Sequence, residues 1–268
     1  MSMFPRLNGD FEWNVRLPFD DMAEPTFHAG GRIGCIVQHG IGGTPANVRL
    51  VADKLVEAGY TVIVPRLPGH GETVRAQRNT TDADWYRSVL EAYDKLKAAG
   101  CTEIIPIGLS LGGILMSLLA ANRPCKALVV MAPPIRMRYW LHAVRLLHPI
   151  VPYMGYTKAM LNHTLRDLPY SQMYNCSSPR ALQMLQRLIL RLRGELKNIT
   201  CPTFAIWAGK DDKVHPTSRG IFRRNLKNAP LKEHMLPDAI HGCTYYTRSR
   251  DEVAQLVHEF VTEIAPLD

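Results

Sequence analysis

A chain of 268 residues, 46% hydrophobic and 21% charged, can bury a large core as one domain or as one domain with an insertion, which excludes a disordered protein. The start, MSMFPRLNGDFEWNVRLPF, has no basic segment followed by an apolar one, and eighteen uninterrupted apolar residues occur nowhere, so neither export nor membrane spanning is expected. The net charge is +8, and six cysteines (35, 101, 125, 176, 201, 243) stand apart without a C-x-x-C pair, as reduced thiols in a cytoplasmic protein would.

In chain order, Phe11, Trp13, Val15 and Leu17 alternate with Glu12, Asn14 and Arg16, the pattern of a half-buried edge strand. From Arg32 the pattern alternates between β and α. Residues 33–38 form an apolar strand containing Cys35; Val48, Val51, Ala52 and Leu55 recur at helical spacing, and Gly59 supplies the stop. A second buried strand covers 61–65. Trp85, Val89, Ala92 and Leu96 form the next apolar stripe, Gly100 ends that helix, and a strand over 103–107 follows. Repeated β-α units of this length imply a mostly parallel, doubly wound sheet.

The strand at 103–107 feeds Gly108-Leu109-Ser110-Leu111-Gly112, a G-x-S-x-G sequence followed by a nearly all-apolar helix. Strand, sharp turn and helix in that order describe a nucleophile elbow, in which a strained serine needs flanking glycines because a Cβ would collide with its neighbours. The turn exposes Ser110 Oγ and aims the N–H of Leu111, with the positive helix end, at any oxyanion formed there. Pro106 disagrees locally, since it removes a ladder donor from a central strand.

After a strand at 127–131 the rhythm breaks. Residues 134–197 show no strand-like run, only helical stripes such as Trp140, Val144 and Leu147, or Leu182, Leu185, Ile189 and Leu192. Alternation resumes with a strand at 203–208, a helix near 217–227, a strand near 232–236 and a last helix opening on the box Ser249-x-x-Glu252. The core is therefore 1–133 plus 198–268, with 134–197 inserted.

The stretches QHGIGGT, VPRLPGHGE, Asp84-Trp85 and GLSLGG, with the later WAGKDDKVHP and PDAIHG, closely resemble the bacterial carboxylesterase and monoacylglycerol lipase branch of the α/β-hydrolase superfamily. That resemblance implies an α/β-hydrolase fold, with the insertion as a helical lid. It also implies a triad in the chain order serine, acid, histidine, because a serine hydroxyl needs an imidazole to take its proton and a carboxylate to orient the imidazole. Two acids, Asp211 and Asp212, stand together after the strand at 203–208. The family pattern puts the acid three residues past the glycine ending that strand, which from Gly209 selects Asp212. The same pattern puts the base at His241, in the loop before the last helix, although Ile240 replaces the usual preceding glycine. It places the N–H of Ile41 beside that of Leu111 as the oxyanion hole, and it makes His39 and His70 structural. His215 lies too near Asp212 to serve as its partner, and His234 falls within a strand.

The expected activity is that of a serine carboxylester hydrolase on short- to medium-chain acyl esters, monoacylglycerols included, through an acyl-enzyme. An acyltransferase, thioesterase or amide hydrolase with the same triad is the runner-up, and a non-catalytic ligand-binding protein on this fold is the alternative of another class. The insertion's Met137, Trp140, Met154, Met160 and Met184 are expected to line the acyl pocket, because flexible methionines suit varied apolar chains. No cofactor is implied, and no His/Asp cluster has metal-ligand spacing. The insertion carries ten basic residues against two acidic, equal to the whole excess of +8. A solvated lid face explains this more simply than weak contact with anionic lipid surfaces, and no nucleic-acid-binding motif accompanies it.

Overall fold

The structure is a computed structural model that describes residues 19–155, 167–174 and 176–267. The expected edge strand at 11–17 lies outside the described residues. Among the described residues the first strand is β1 (Thr26–His28), followed by β2 (Ile33–Gln38), helix α1 (Arg49–Glu57) and β3 (Thr61–Val64). Helices α2 (Val74–Asn79) and α3 (Asp82–Ala98) lead to β4 (Glu103–Leu109), α4 (Leu111–Asn122) and β5 (Leu128–Met131). Beyond the insertion come β8 (Thr203–Ala208), a helix at Thr217–Asn225, β9 (Leu231–Leu236) and a last helix at Arg250–Ile264.

Among the described residues seven strands pair in the order β1-β3-β2-β4-β5-β8-β9, and all neighbours are parallel except β1 with β3. The chain runs from β2 outward to β3, then returns to place β4 on the other side of β2. The winding thus reverses between β2 and β4, and the loops after these two strands open a crevice at their carboxyl ends. Strand residues alternate between two apolar layers: Cys35, Ile105, Val129 and Phe204 face α1 and the last helix, while Ile36, Ile104, Val130 and Ala205 face α3 and α4. Burial on both faces explains why these strands read as continuous apolar runs.

Pro106 fits because of where β5 begins. The Lys126 N–H donates to the Ile104 carbonyl, so Ile104 and, two residues on, Pro106 point their polar groups toward β5. The ladder with β5 starts only at Ile107, and the missing donor falls just ahead of it.

Three sequence expectations need correction here. Residues 134–197 do contain strands, β6 (Met154–Gly155) and β7 (Cys176–Ser177), which pair antiparallel but at two residues each are too short to show a period. The insertion also divides. Its first helix, α5 (Tyr139–Leu146), buries only Leu141, whereas the second, α6 (Pro179–Glu195), packs its stripe of Leu182, Leu185, Ile189 and Leu192 into the layer formed by α3 and α4. Residues from 179 onward are therefore a wall of the core rather than a roof, because α4 covers their apolar face. The box at Ser249 does not form either: its hydroxyl donates to the Cys243 carbonyl at 2.9 Å instead of capping the last helix.

Candidate active site

Ser110 sits at φ 54°, ψ −116°, a region that non-glycine residues occupy only when their surroundings impose it. Here both glycines of the elbow do so. A Cβ on Gly108 would stand 2.3 Å from the backbone of Gly112, and one on Gly112 would stand 2.3 Å from the Gln38 carbonyl. The Ser110 N–H donates to the Met131 carbonyl at 2.8 Å, which ties the turn to β5.

Across the switch point, His241 joins two other side chains. Its Nε2 lies 2.8 Å from Ser110 Oγ, and its Nδ1 lies 2.8 Å from Asp211 Oδ2. The other oxygen of Asp211 accepts the N–H groups of Lys213 and Val214, both at 2.8 Å. Burial of Asp211 works to raise its pKa, but the adjoining His241 and these two N–H donors outweigh it and hold the carboxyl below its ordinary range. It is an ionised acceptor fixed on the imidazole.

The acid expected at Asp212 is therefore misplaced by one residue. Asp212 points to solvent, with its side chain 64% exposed and paired to Lys213 Nζ at 2.7 Å. The reason is local: Gly209 and Lys210 donate their N–H groups to Leu236 and Ala239, holding the chain against the end of β9 so that the next residue turns inward. An Asx-type turn, in which an aspartate accepts the N–H groups two and three residues on, is open to either aspartate by sequence, and the structure shows it at Asp211, which accepts from Lys213 and Val214.

The loop after β2 passes directly against the elbow. A Cβ on Gly40 would touch that of Ser110 at 3.2 Å, and the loop turns at Gly42, φ 73°. Ile41 is half-buried on this loop, and Leu111 opens α4 as the first of the residues whose N–H groups have no partner within the helix. Wholly buried, His39 donates Nδ1–H to the Gly40 carbonyl at 2.9 Å and accepts the Leu67 N–H on Nε2 at 3.1 Å. The equally buried His70 bridges the Pro68 carbonyl and the Gln77 amide. Burial pushes these imidazoles down to about 3 and about 4, so both stay neutral. They hold loops, as the resemblance implied.

The expected pocket residues scatter. Met137 is buried and bridges Val214, Met154 is half-buried in β6 opposite Ser177, and Met184 lies in the core layer of α6. Met160 is outside the described residues. Trp140 lies beside Lys213 Nζ, donates weakly to the Asp212 carbonyl, and borders an open groove of about 420 Å³ with Arg138, Gly209, Lys210, Asp211 and Asp212. Sequence reasoning missed Arg138, whose guanidinium donates to the Asp211 carbonyl at 2.7 Å while its N–H donates to that of Lys213. The first residues of the insertion thus lie along the loop that carries Asp211.

A serine on a strained strand-to-helix turn, bonded to a histidine whose far nitrogen meets a buried carboxylate at the switch point of such a sheet, defines an α/β-hydrolase. The profile of the alpha/beta hydrolase family matches residues 36–256, and the chain belongs to that family. It is 26% identical over 245 residues to a carboxylesterase of Bacillus subtilis (strain 168), covering 90% of this chain and 97% of that one. It is 30% identical over 229 residues to a thermostable monoacylglycerol lipase of Bacillus sp. (strain H-257), covering 83% and 88%. Among solved structures, a metagenome-derived lipolytic enzyme superposes with a TM-score of 0.80 at 23% identity, over 91% of this chain and 99% of that one. A Paleococcus ferrophilus monoacylglycerol lipase superposes at 0.72 with 16% identity, over 90% and 99%.

Proposed function

We propose that the protein is a serine carboxylester hydrolase that cleaves short- to medium-chain acyl esters, monoacylglycerols among them, through an acyl-enzyme. The observation that carries this reading is the hydrogen-bonded row Ser110, His241, Asp211. His241 Nε2 takes the Ser110 proton as Oγ attacks the ester carbonyl, and Nδ1–H stays on the ionised Asp211, which stabilises the imidazolium. The N–H groups of Ile41 and Leu111 receive the oxyanion. His241 then returns the proton to the leaving alcohol, and a water deprotonated by the same nitrogen releases the acid. The names of the two Bacillus relatives support esters as substrates.

The part of the insertion ahead of α6 supplies the lid, and its limited size sets the chain-length limit. Its exposed Tyr139, Leu146 and Ile150 stand among Arg136, Arg138 and Arg145, which suits weak contact with an anionic lipid surface. Among the described residues no helix is long and apolar enough to cross a membrane. All six cysteines are free, in keeping with a reducing cytoplasm.

Purified protein should turn over p-nitrophenyl esters with kcat/KM rising from acetyl to a medium-chain maximum, because each buried methylene adds up to ~0.8 kcal/mol. A preference for acetyl over every longer chain removes the lipid-like substrate. Ser110→Ala should abolish turnover, and a phosphonate should label Ser110 alone. Sedimentation with phosphatidylglycerol vesicles, but not with phosphatidylcholine vesicles, is the outcome expected of the basic face.

A further inference from the structure

Asn47 touches more of this site than its place in a short turn requires. It is 2% exposed, and its carboxamide is bonded on both sides: Oδ1 accepts the Thr44 N–H at 3.2 Å, while Nδ2 donates to the Tyr170 carbonyl at 2.7 Å and the Gln172 carbonyl at 3.2 Å. Its own carbonyl accepts the hydroxyl of Thr244, three residues past His241, at 2.6 Å. One residue therefore joins the loop that bears Ile41, the returning end of the insertion and the loop that bears His241.

The neighbouring contacts run the same way. Thr44 Oγ1 donates to the Gln172 carbonyl, Gly43 bridges Met173, and the Tyr174 N–H donates to the Gly42 carbonyl at 2.9 Å. Gly43 is pressed onto Asn47 so closely that a Cβ there would stand 1.8 Å from Oδ1 and 3.1 Å from Cγ, while the next group, the Gly40 carbonyl, lies at 3.6 Å. The residues after Ile41 are thus clamped between the 170–174 segment and the Asn47 side chain. No other side chain of this size combines an acceptor and two donors in that fixed plane.

We propose that Asn47 is a positioning residue for the oxyanion hole: by fixing residues 42–44 it sets where the Ile41 N–H points, and through Thr244 it keeps that donor in register with His241. The inference rests on the ester-hydrolase reading above. The competing explanation is that Asn47 merely completes the capping box of the turn at Pro45–Val48. That role would cost stability and leave chemistry alone.

The test uses the full chain as wild type, Asn47→Ala, Gly43→Ala and the double variant. Steady-state kinetics on p-nitrophenyl butyrate are read beside the affinity of an alkyl trifluoromethyl ketone, whose hemiketal with Ser110 carries an oxyanion and is observed by fluorine NMR. Asn47→Ala should lower kcat about 30- to 100-fold with KM held within about threefold, and weaken the hemiketal by the same factor as kcat/KM, since a small misplacement of one donor forfeits most of its effect. Gly43→Ala should act similarly, because it displaces the Asn47 side chain, and it should add little on top of Asn47→Ala. Wild-type kcat in a less stable Asn47→Ala protein overturns the proposal, as does a double variant equal to the product of the singles. If Asn47→Ala does not fold, Gly43→Ala decides alone by the same split of kcat and KM. A wild-type protein that forms the hemiketal but hydrolyses no ester would remove the ester reading, and the hemiketal comparison would still decide the role of Asn47.

Discussion

At the scale of single residues, two adjacent aspartates differ in everything but chemistry. Asp211 is buried, receives two backbone N–H groups and meets His241; Asp212 is mostly exposed and paired with Lys213. Exposed ion pairs of that kind contribute little. Asp211→Asn should therefore lower kcat by about 10⁴, the loss expected when the imidazole is left in the wrong tautomer, while Asp212→Asn should stay within a few-fold of wild type. Steady-state kinetics of both variants settle the comparison; equal losses would contradict the geometry. The serine and the histidine were legible because each stands in a motif whose glycines or loop position betray it. The acid was legible only to within one residue, because a count from Gly209 ignores the hydrogen bonds to Leu236 and Ala239 that decide which side chain turns inward.

At the scale of elements, glycines separate packing from propensity. Gly112 lets α4 meet β2, and a methyl there would lie 2.3 Å from the Gln38 carbonyl and 2.7 Å from that of His39, both backbone atoms that cannot step aside. Gly112→Ala should yield protein that is insoluble, or folded with a much lower Tm and no turnover. Gly194, in the last turn of α6, is exposed and has nothing within 4 Å of its prospective Cβ. Gly194→Ala should raise stability by about 0.5–1 kcal/mol in urea titrations and leave kcat unchanged, because only backbone entropy and helix propensity change. Strands and helices of the sheet were readable from their periods, since burial on two faces or one leaves a regular mark. The division of the insertion was not, because an amphipathic stripe on α6 looks the same whether it covers a substrate pocket or α4.

At the scale of the whole molecule, the buried pair His39 and His70 links stability to pH. Their folded-state values, about 3 and about 4, lie below the ~6.5 of an unfolded histidine, so on acidification the unfolded chain takes up protons that the native one refuses. Their contribution is complete above about pH 6.5 and is lost as pH falls toward 4, at roughly 1.4 kcal/mol per pH unit for each imidazole. Urea unfolding between pH 7 and 4.5 should show that loss, and His70→Gln should halve its slope; a flat profile would mean that water reaches these rings. The remaining consequence concerns the insertion's moorings. Arg138 is tied to the acid loop, Asp167 to the Thr247 N–H and hydroxyl, and Tyr174 to Gly42. The start and the return of the insertion are thus held to the same loops that carry the triad, so any redesign of substrate selectivity in the insertion has to leave these mooring residues as they are.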